Sequence, residues 1–304
     1  MTLLERAAVR ADRGAAGIDR QGAGTDRGAR ADHHAVAANE VHPEVVLGGR
    51  YRLGAQLGGG SEAYVNEARD LLSGKSVAVK IFRSTDSMDN APFRRELEIH
   101  GRLRHRNIVR VLDSGDTPGT GDTPGAGGVG SQKSRSFVVM ELVGGKDLRG
   151  FLQDNPASPE QTAAWMTDIA RALAHVHRRG IVHNDIKPGN ILVDVASDPR
   201  GLGIAKLADF GIALNGRHAA PNSSSGTPHY LSPEEVRGGT STTASDIYSL
   251  GLVALECLTG TKAFPGPPLE SMVARTLREP RIPGTVRRRW SMVLHAMTDP
   301  DPAG

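Results

Sequence analysis

Residues 183–190, His-Asn-Asp-Ile-Lys-Pro-Gly-Asn, set a carboxylate, an ammonium and an amide at fixed offsets, and Asp209-Phe210-Gly211 adds a second carboxylate downstream. These side-chain types suit a reaction that moves a phosphoryl group. One carboxylate takes the proton of an attacking hydroxyl, a cation offsets charge on the transferred group, and oxygen ligands hold Mg²⁺. Asp185, Lys187, Asn190 and Asp209 fill those parts in that order. A polar loop ahead of a hydrophobic strand would also use Asn and Gly, but it has no need of all four typed positions together.

The string resembles the catalytic loop and metal-binding triplet of eukaryotic-type serine/threonine protein kinases, the group that includes the bacterial Hanks-type kinases. Other parts of that signature follow in the family's order over roughly residues 47–300. Leu57-Gly58-Gly59-Gly60-Ser61-Glu62-Ala63-Tyr64-Val65 is similar to the phosphate-covering loop, with Ala63 at the third glycine position. Missing Cβ atoms let backbone N–H groups approach phosphate closely, so the alanine methyl implies a stiffer loop and weaker nucleotide affinity. Val77-Ala78-Val79-Lys80-Ile81-Phe82 is a β-branched run carrying one lysine. The resemblance makes Lys80 the holder of the α- and β-phosphates, and a cation in a cleft needs a carboxylate partner. Phe93, Leu97 and Leu103 recur at helical spacing. Counting back from His105-Arg106-Asn107-Ile108-Val109, similar to the family's His-Pro-Asn-Ile-Val, selects Glu96, since Glu98 points about 160° away around the helix.

By the same resemblance, Phe137-Val138-Val139-Met140-Glu141-Leu142-Val143 is the strand and hinge that grip adenine. Met140 lies at the back of the pocket, the Glu141 carbonyl and Val143 N–H face the adenine edge, and Asp147 faces the ribose hydroxyls. The implied set is Asp185, Lys187, Lys80 and Glu96 for catalysis, and Asn190 and Asp209 for the metal. Leu57, Gly58, Gly60, Val65, Ala78, Lys80, Met140, Glu141, Val143, Asp147 and Leu192 form the nucleotide site. The implied cofactors are ATP and Mg²⁺, with Mn²⁺ as a substitute, and Lys187 implies Ser/Thr acceptors on protein substrates. Ser232-Pro233-Glu234 closes the activation segment, and Asp246 braces the catalytic loop. The implied fold class is α+β and bilobal: a small β-rich lobe with one key helix, then a larger, mainly helical lobe. The alternative is a catalytically weak or inactive module of the same fold, a nucleotide-binding scaffold.

The elements that position these residues can be read along the chain. Of 304 residues, 1–46 form an Ala/Gly/Arg/Asp-rich tail with Asp12-Arg13, Asp19-Arg20 and Asp26-Arg27 repeating at seven-residue spacing. It has no apolar seam, so disorder is expected rather than a coiled coil. The remaining domain, 47–304, divides into a small lobe at 47–143 and a large lobe at 144–304. Strands are expected at Ile108–Leu112 and Phe137–Met140. Between them a low-complexity insert, 113–136, repeats Gly-Asp-Thr-Pro-Gly and reads as a long mobile hairpin loop. Helices are expected at about 92–104, 147–153 and 159–179, and after Glu234, Thr243 and Glu270. Trp165, Ile169, Leu173 and Val176 make an apolar stripe of core type.

Net charge is +3, scattered rather than striped, and no basic face is interleaved with aromatics, so nucleic acid is not an expected partner. Arg287-Arg288-Arg289 reads as a solvated helix face or as a docking point for an acidic partner. The one cysteine, Cys257, falls in the apolar run 247–258, which is too short to span a membrane. A lone buried thiol and no leader at Met1 point to the cytoplasm.

Three departures from the family pattern carry expectations. Asn184 replaces the arginine that receives an activation-segment phosphate, which implies a kinase not gated that way. Thr227 is then structural, contacting Asp185 and Lys187. His100 enters an apolar spine with Val111, Phe210 and His183, where a buried imidazole needs a partner and is best neutral. The final helix is truncated, with Ala303 where an arginine would pair with Glu234. Either another group compensates or the large lobe is weakened.

Overall fold

The computed structural model describes residues 45–60, 63–83, 91–117, 135–153, 156–210 and 227–301, without the side chains of 91–96 and 227. The sequence-based readings for the tail, for most of the insert, for Gly211 to Ser225, for the Glu96 and Thr227 side chains and for Ala303 lie outside the described residues. The chain divides into two units, 1–46 and 47–304, and the second is the subject below.

Five strands open this unit: β1 (Tyr51–Gly59), β2 (Ala63–Asp70), β3 (Ser76–Phe82), β4 (Val111–Asp116) and β5 (Ser136–Glu141). They pair antiparallel in the order β1-β2-β3-β5-β4, with the short strand Val46–Leu47 at the β1 edge. Register decides what each face carries, because paired residues share a face and neighbours along a strand alternate. Val77, Val79 and Ile81 pack with Tyr51, Ala68, Phe137 and Val139 on one side. The other side carries Ala78, Lys80 and Phe82. It faces helix α1 (Ala91–Arg102), from which Leu97 joins Ala63, Phe82 and Val138 in a second small core.

The strand expected at Ile108–Leu112 is displaced. Ile108 instead bridges to Leu207, Val109 N–H donates to the Leu207 carbonyl at 2.8 Å, and β4 begins only at Val111. The backbone of Ile108–Val109 is claimed by the large lobe, so the sheet starts later. The insert is shorter than its composition implied, because β4 runs through Asp116 and Thr117 N–H donates to the Arg135 carbonyl at 2.7 Å.

The large lobe contains a small sheet of β6 (Lys146–Asp147), β7 (Ile191–Asp194) and β8 (Ile204–Leu207), and helices α2 (Leu148–Leu152), α3 (Pro159–His177), α4 (Pro233–Val236), α5 (Thr243–Thr259), α6 (Pro268–Leu277) and α7 (Arg288–Met297). Helix α3 begins with a capping box: Gln161 N–H donates to Ser158 Oγ, and Ser158 N–H to Gln161 Oε1, with Pro159 in the first turn. Its stripe of Trp165, Ile169, Leu173 and Val176 is fully buried, as the spacing predicts. Helix α5 is buried for most of its length, Cys257 included, and ends at Gly260 with φ 71°. Gly145 is required for a different reason. Its φ is 136°, and a Cβ there would lie 2.0 Å from the Val193 carbonyl oxygen, so only glycine lets the chain cross β7 on its way to Asp147.

Candidate active site

The register of the first sheet gathers part of the nucleotide set on one face. Gly58 opposes Val65, Val65 opposes Lys80, and Ala78, two residues before Lys80, opposes Met140. Leu57 is half-buried at the end of β1. Gly60 N–H donates to the Ala63 carbonyl at 2.8 Å and closes the turn, and a Cβ at Gly58 or Gly60 would meet no neighbour. The Ala63 methyl is used up in packing against Phe82, Leu97 and Val138. Val143 lies beyond the end of β5, and its N–H makes no hydrogen bond among the described residues. That leaves a donor of the kind an adenine edge accepts from. The Glu141 side chain is held away by Lys206 Nζ at 2.7 Å and Arg110 N–H at 3.1 Å. Asp147 opposes Leu192 across β6 and β7, which brings both to one place. Its carboxylate already caps α2, accepting from Gly150 N–H at 2.6 Å and from Arg149 at 3.2 Å.

The catalytic-type residues converge from the other lobe. Lys187 Nζ donates to Asp185 Oδ2 at 2.7 Å, and Asn190 Nδ2 donates to the same oxygen and to the Asp185 carbonyl, both at 2.8 Å. The carboxylate is thereby aimed by two donors from its own loop. Asn190 spends its N–H groups inward, which leaves its carbonyl oxygen as the ligand-type atom. Lys80 Nζ meets Asp209 Oδ1 at 2.8 Å, joining the first sheet to the large lobe. Burial alone would push the Asp209 carboxyl up, but Lys80, with Lys187 and His183 behind it, outweighs that and holds it below the usual carboxylate range. The Glu96 side chain, to which the sequence reading assigns Lys80, lies outside the described residues. Glu98 is exposed.

Two hydrogen-bonding groups set the backbone of this loop. Asp246, at the start of α5 and 1% exposed, accepts from the amides of His183 and Asn184 at 2.8 and 2.9 Å and lies 2.8 Å from His177 Nε2. His183 is fully buried. Its Nδ1 accepts from Asp185 N–H at 3.2 Å, so the single proton sits on Nε2, 3.1 Å from the Ala208 carbonyl. Burial lowers its pKa, in keeping with one proton per ring. Asn184 and Asp209 take φ of 66° and 54°, the only non-glycine residues of the described set in the left-handed region. Both are of the types that tolerate it.

The spine forms as expected. The His100 ring lies 4.8 Å from Phe210, and Phe210 lies 4.6 Å from His183. A cavity of about 20 Å³ beside His100 and Phe210 is lined also by Val111, Met140 and Asp209. His100 is 5% exposed, and its Nδ1 has no hydrogen-bond partner. Burial, with His183 adding, lowers its pKa to about 4. The partner expected for Glu234 is supplied at least in part by Ser245, whose Oγ donates to it at 2.6 Å. Sequence reasoning missed Ser249, Lys206 and Arg275; hydroxyls and cations on otherwise amphipathic elements give no signal of what they will meet.

Among the described residues no group of three His, Cys, Asp or Glu converges as a metal cluster. A divalent cation here would be shared between Asn190, Asp209 and nucleotide phosphates, the sparse protein donor set that Mg²⁺ favours. The oxygen donors present fit that ion.

Comparison with known proteins agrees with this geometry. Residues 51–296 match the family model described as a protein kinase domain. The chain is 37% identical over 252 residues to the serine/threonine-protein kinase PrkC of Bacillus subtilis, covering 81% of this chain and 35% of that protein. It is 36% identical over 253 residues to the serine/threonine-protein kinase PknB of Mycobacterium leprae, covering 79% and 37%. A probable serine/threonine-protein kinase PknB of Bifidobacterium longum is 39% identical over 233 residues, covering 74% and 32%. The chain thus spans about a third of the length of these curated relatives. A match running unbroken through both lobes places the chain in the protein kinase family.

Proposed function

We propose that this domain transfers the γ-phosphoryl group of ATP to Ser or Thr hydroxyls of protein substrates, with Mg²⁺ bound. The carrying observation is the convergence on one cleft of Asp185, held by Lys187 and Asn190, with Asp209, held by Lys80. In this reading Asp185 accepts the proton of the acceptor hydroxyl and Lys187 offsets charge on the moving group. Asn190 and Asp209 hold the metal, and Lys80 engages the phosphates. The metal supplies charge neutralisation at the phosphate oxygens. Leu57, Gly58, Gly60, Val65, Ala78, Met140, Glu141, Val143, Asp147 and Leu192 enclose the nucleotide, and Glu96 supports Lys80.

Asn184 carries no charge, so activation-segment phosphorylation does not gate this domain. The names of the relatives, all serine/threonine-protein kinases, support the acceptor class. Among the described residues no helix is long and apolar enough to cross a membrane, and a cytoplasmic site of action fits one buried thiol. Arg287, Arg288 and Arg289 are exposed where α7 begins, an end at which cations oppose the helix dipole. An acidic partner would relieve that repulsion.

The test is a radiolabelled ATP assay of the wild type beside Asp185→Asn, Lys80→Met and Asp209→Asn. Each variant is expected to stay folded and lose at least a hundredfold in transfer, about 3 kcal/mol of barrier. Transfer within tenfold of wild type in all three would sink the assignment.

A further inference from the structure

Arg275 is the anomaly of the large lobe. It lies in the last turn of α6 and is 2% exposed, yet among the described residues no carboxylate forms an ion pair with it. Burial lowers its pKa to about 10, against smaller opposing influences of Tyr248, Glu235 and Tyr230. The guanidinium is instead satisfied by neutral acceptors. Nε donates to the Ser271 carbonyl at 3.2 Å, Nη2 to Ser271 Oγ at 2.9 Å, and Nη1 to the Leu231 carbonyl, while the group lies 5.3 Å from the Phe264 ring centroid. A buried cation without a counter-charge is costly. Its fork of donors is what lets one side chain hold two separate acceptors at fixed angles.

Its one hydrogen bond outside α6 is to Leu231, in a stretch, 229–235, that other side chains fasten nearly residue by residue. His229 Nε2 lies 3.0 Å from the Gly266 carbonyl. Ser249 Oγ donates to the Tyr230 carbonyl at 2.6 Å, and Tyr230 Oη donates to Glu256 at 2.7 Å. Ser232 Oγ and N–H donate to Glu235 at 2.7 and 2.8 Å, and Ser245 Oγ donates to Glu234 at 2.6 Å. Ser249 is three residues after Asp246 on α5, about one turn on. The helix that anchors the amides before Asp185 therefore anchors this stretch too. Leu231 is held by its carbonyl, and its side chain stays half-exposed.

We propose that Arg275 is a positioning residue for the protein acceptor: through the Leu231 carbonyl it fixes the stretch 229–235, which α5 anchors together with the loop before Asp185, and this stretch is where the acceptor chain rests. It touches no reacting atom. This rests on the phosphoryl-transfer reading above.

The experiment uses the full chain and compares wild type, Arg275→Met and Arg275→Lys. Three quantities are measured: melting temperature, phosphoryl transfer to a threonine-containing peptide selected on the wild type, and ATP hydrolysis with water as acceptor. For folded Arg275→Met, the peptide KM is expected to rise at least tenfold. The ATP KM and the hydrolysis rate should stay within twofold. Arg275→Lys, which keeps the charge and loses the fork, should recover less than half of the loss on a logarithmic scale. Parallel loss of hydrolysis and transfer, an unchanged peptide KM, or full recovery by lysine each overturns the proposal. Should Arg275→Met fail to fold, Ser271→Ala, which removes one acceptor of the fork, is expected to raise the peptide KM about threefold with hydrolysis intact, and no change there overturns it equally. A wild type that moves no phosphate to peptide or water sinks the kinase reading itself. That result is distinct from an active wild type with an indifferent Arg275.

Discussion

His100 shows how one polar side chain can change the chemistry of an otherwise apolar stack. Its neighbours are the Phe210 ring and, beyond it, His183, and neither gives its Nδ1 a partner. The folded pKa of about 4 lies below the unfolded value of about 6.5. Between those values the unfolded chain binds more protons, so stability is full above pH 6.5 and falls as pH drops toward 4. The expected loss is about 2 kcal/mol at pH 5 from this group alone. His183, lowered in the same direction, adds to it. His100→Leu should raise the urea midpoint at pH 7.5 by the equivalent of ~1 kcal/mol, by removing an orphan nitrogen. It should also shrink the loss between pH 7.5 and 5. An acid loss as large in the variant as in the wild type would place its source elsewhere.

At the scale of elements, α5 is the part on which the site depends. Asp246 accepts three hydrogen bonds at its first turn, two of them from the amides that shape the catalytic loop. Asn at this position keeps one acceptor oxygen and turns an N–H₂ toward a donor. Asp246→Asn is therefore expected to cost about 2–3 kcal/mol and to reduce transfer more than tenfold. Paired urea titrations and transfer assays check both, and a cost under half a kcal/mol would show the carboxylate to be dispensable. Helices of this kind were legible in the sequence, because the spacing of Trp165 to Val176 and the Ser158/Gln161 cap are local signals. The strand start was not. Ile108 and Val109 are as β-prone as Val111, and only their pairing with Leu207, far along the chain, moves β4. Arg275 was illegible for the same reason: on a helix that is otherwise amphipathic, an arginine reads as solvated. The grouping of Asp185, Lys187 and Asn190 was legible because all three belong to one short loop. The pairing of Lys80 with Asp209 was not, because it joins residues from two lobes.

At the scale of the whole molecule, two segments of sequence are expected to leave the chemistry unaffected. Residues 1–44 contain few apolar side chains to bury, so their deletion should change the melting temperature by less than a few degrees and leave transfer unchanged. A larger fall in calorimetry would show that the tail docks. The other segment includes Ser223, Ser224 and Ser225. With Asn184 supplying no charge to pair with a phosphate, replacing all three by Ala should cost less than threefold in transfer to a neutral peptide, under ~0.7 kcal/mol. Phosphatase-treated wild type should match the triple variant. A tenfold drop in either would mean that another cation reads a phosphate there.

The contact between Lys80 and Asp209 has a thermodynamic corollary. In the proposed reading Lys80 engages phosphate and Asp209 a metal ion, and the two side chains meet at 2.8 Å, so a phosphate that draws Lys80 away takes a counter-charge from Asp209. A cation that engages Asp209 likewise frees Lys80. The two events are linked, and linkage is reciprocal: the factor by which nucleotide tightens metal binding equals the factor by which metal tightens nucleotide binding. In that reading, the closed pair favours binding of both ligands together over binding of either alone.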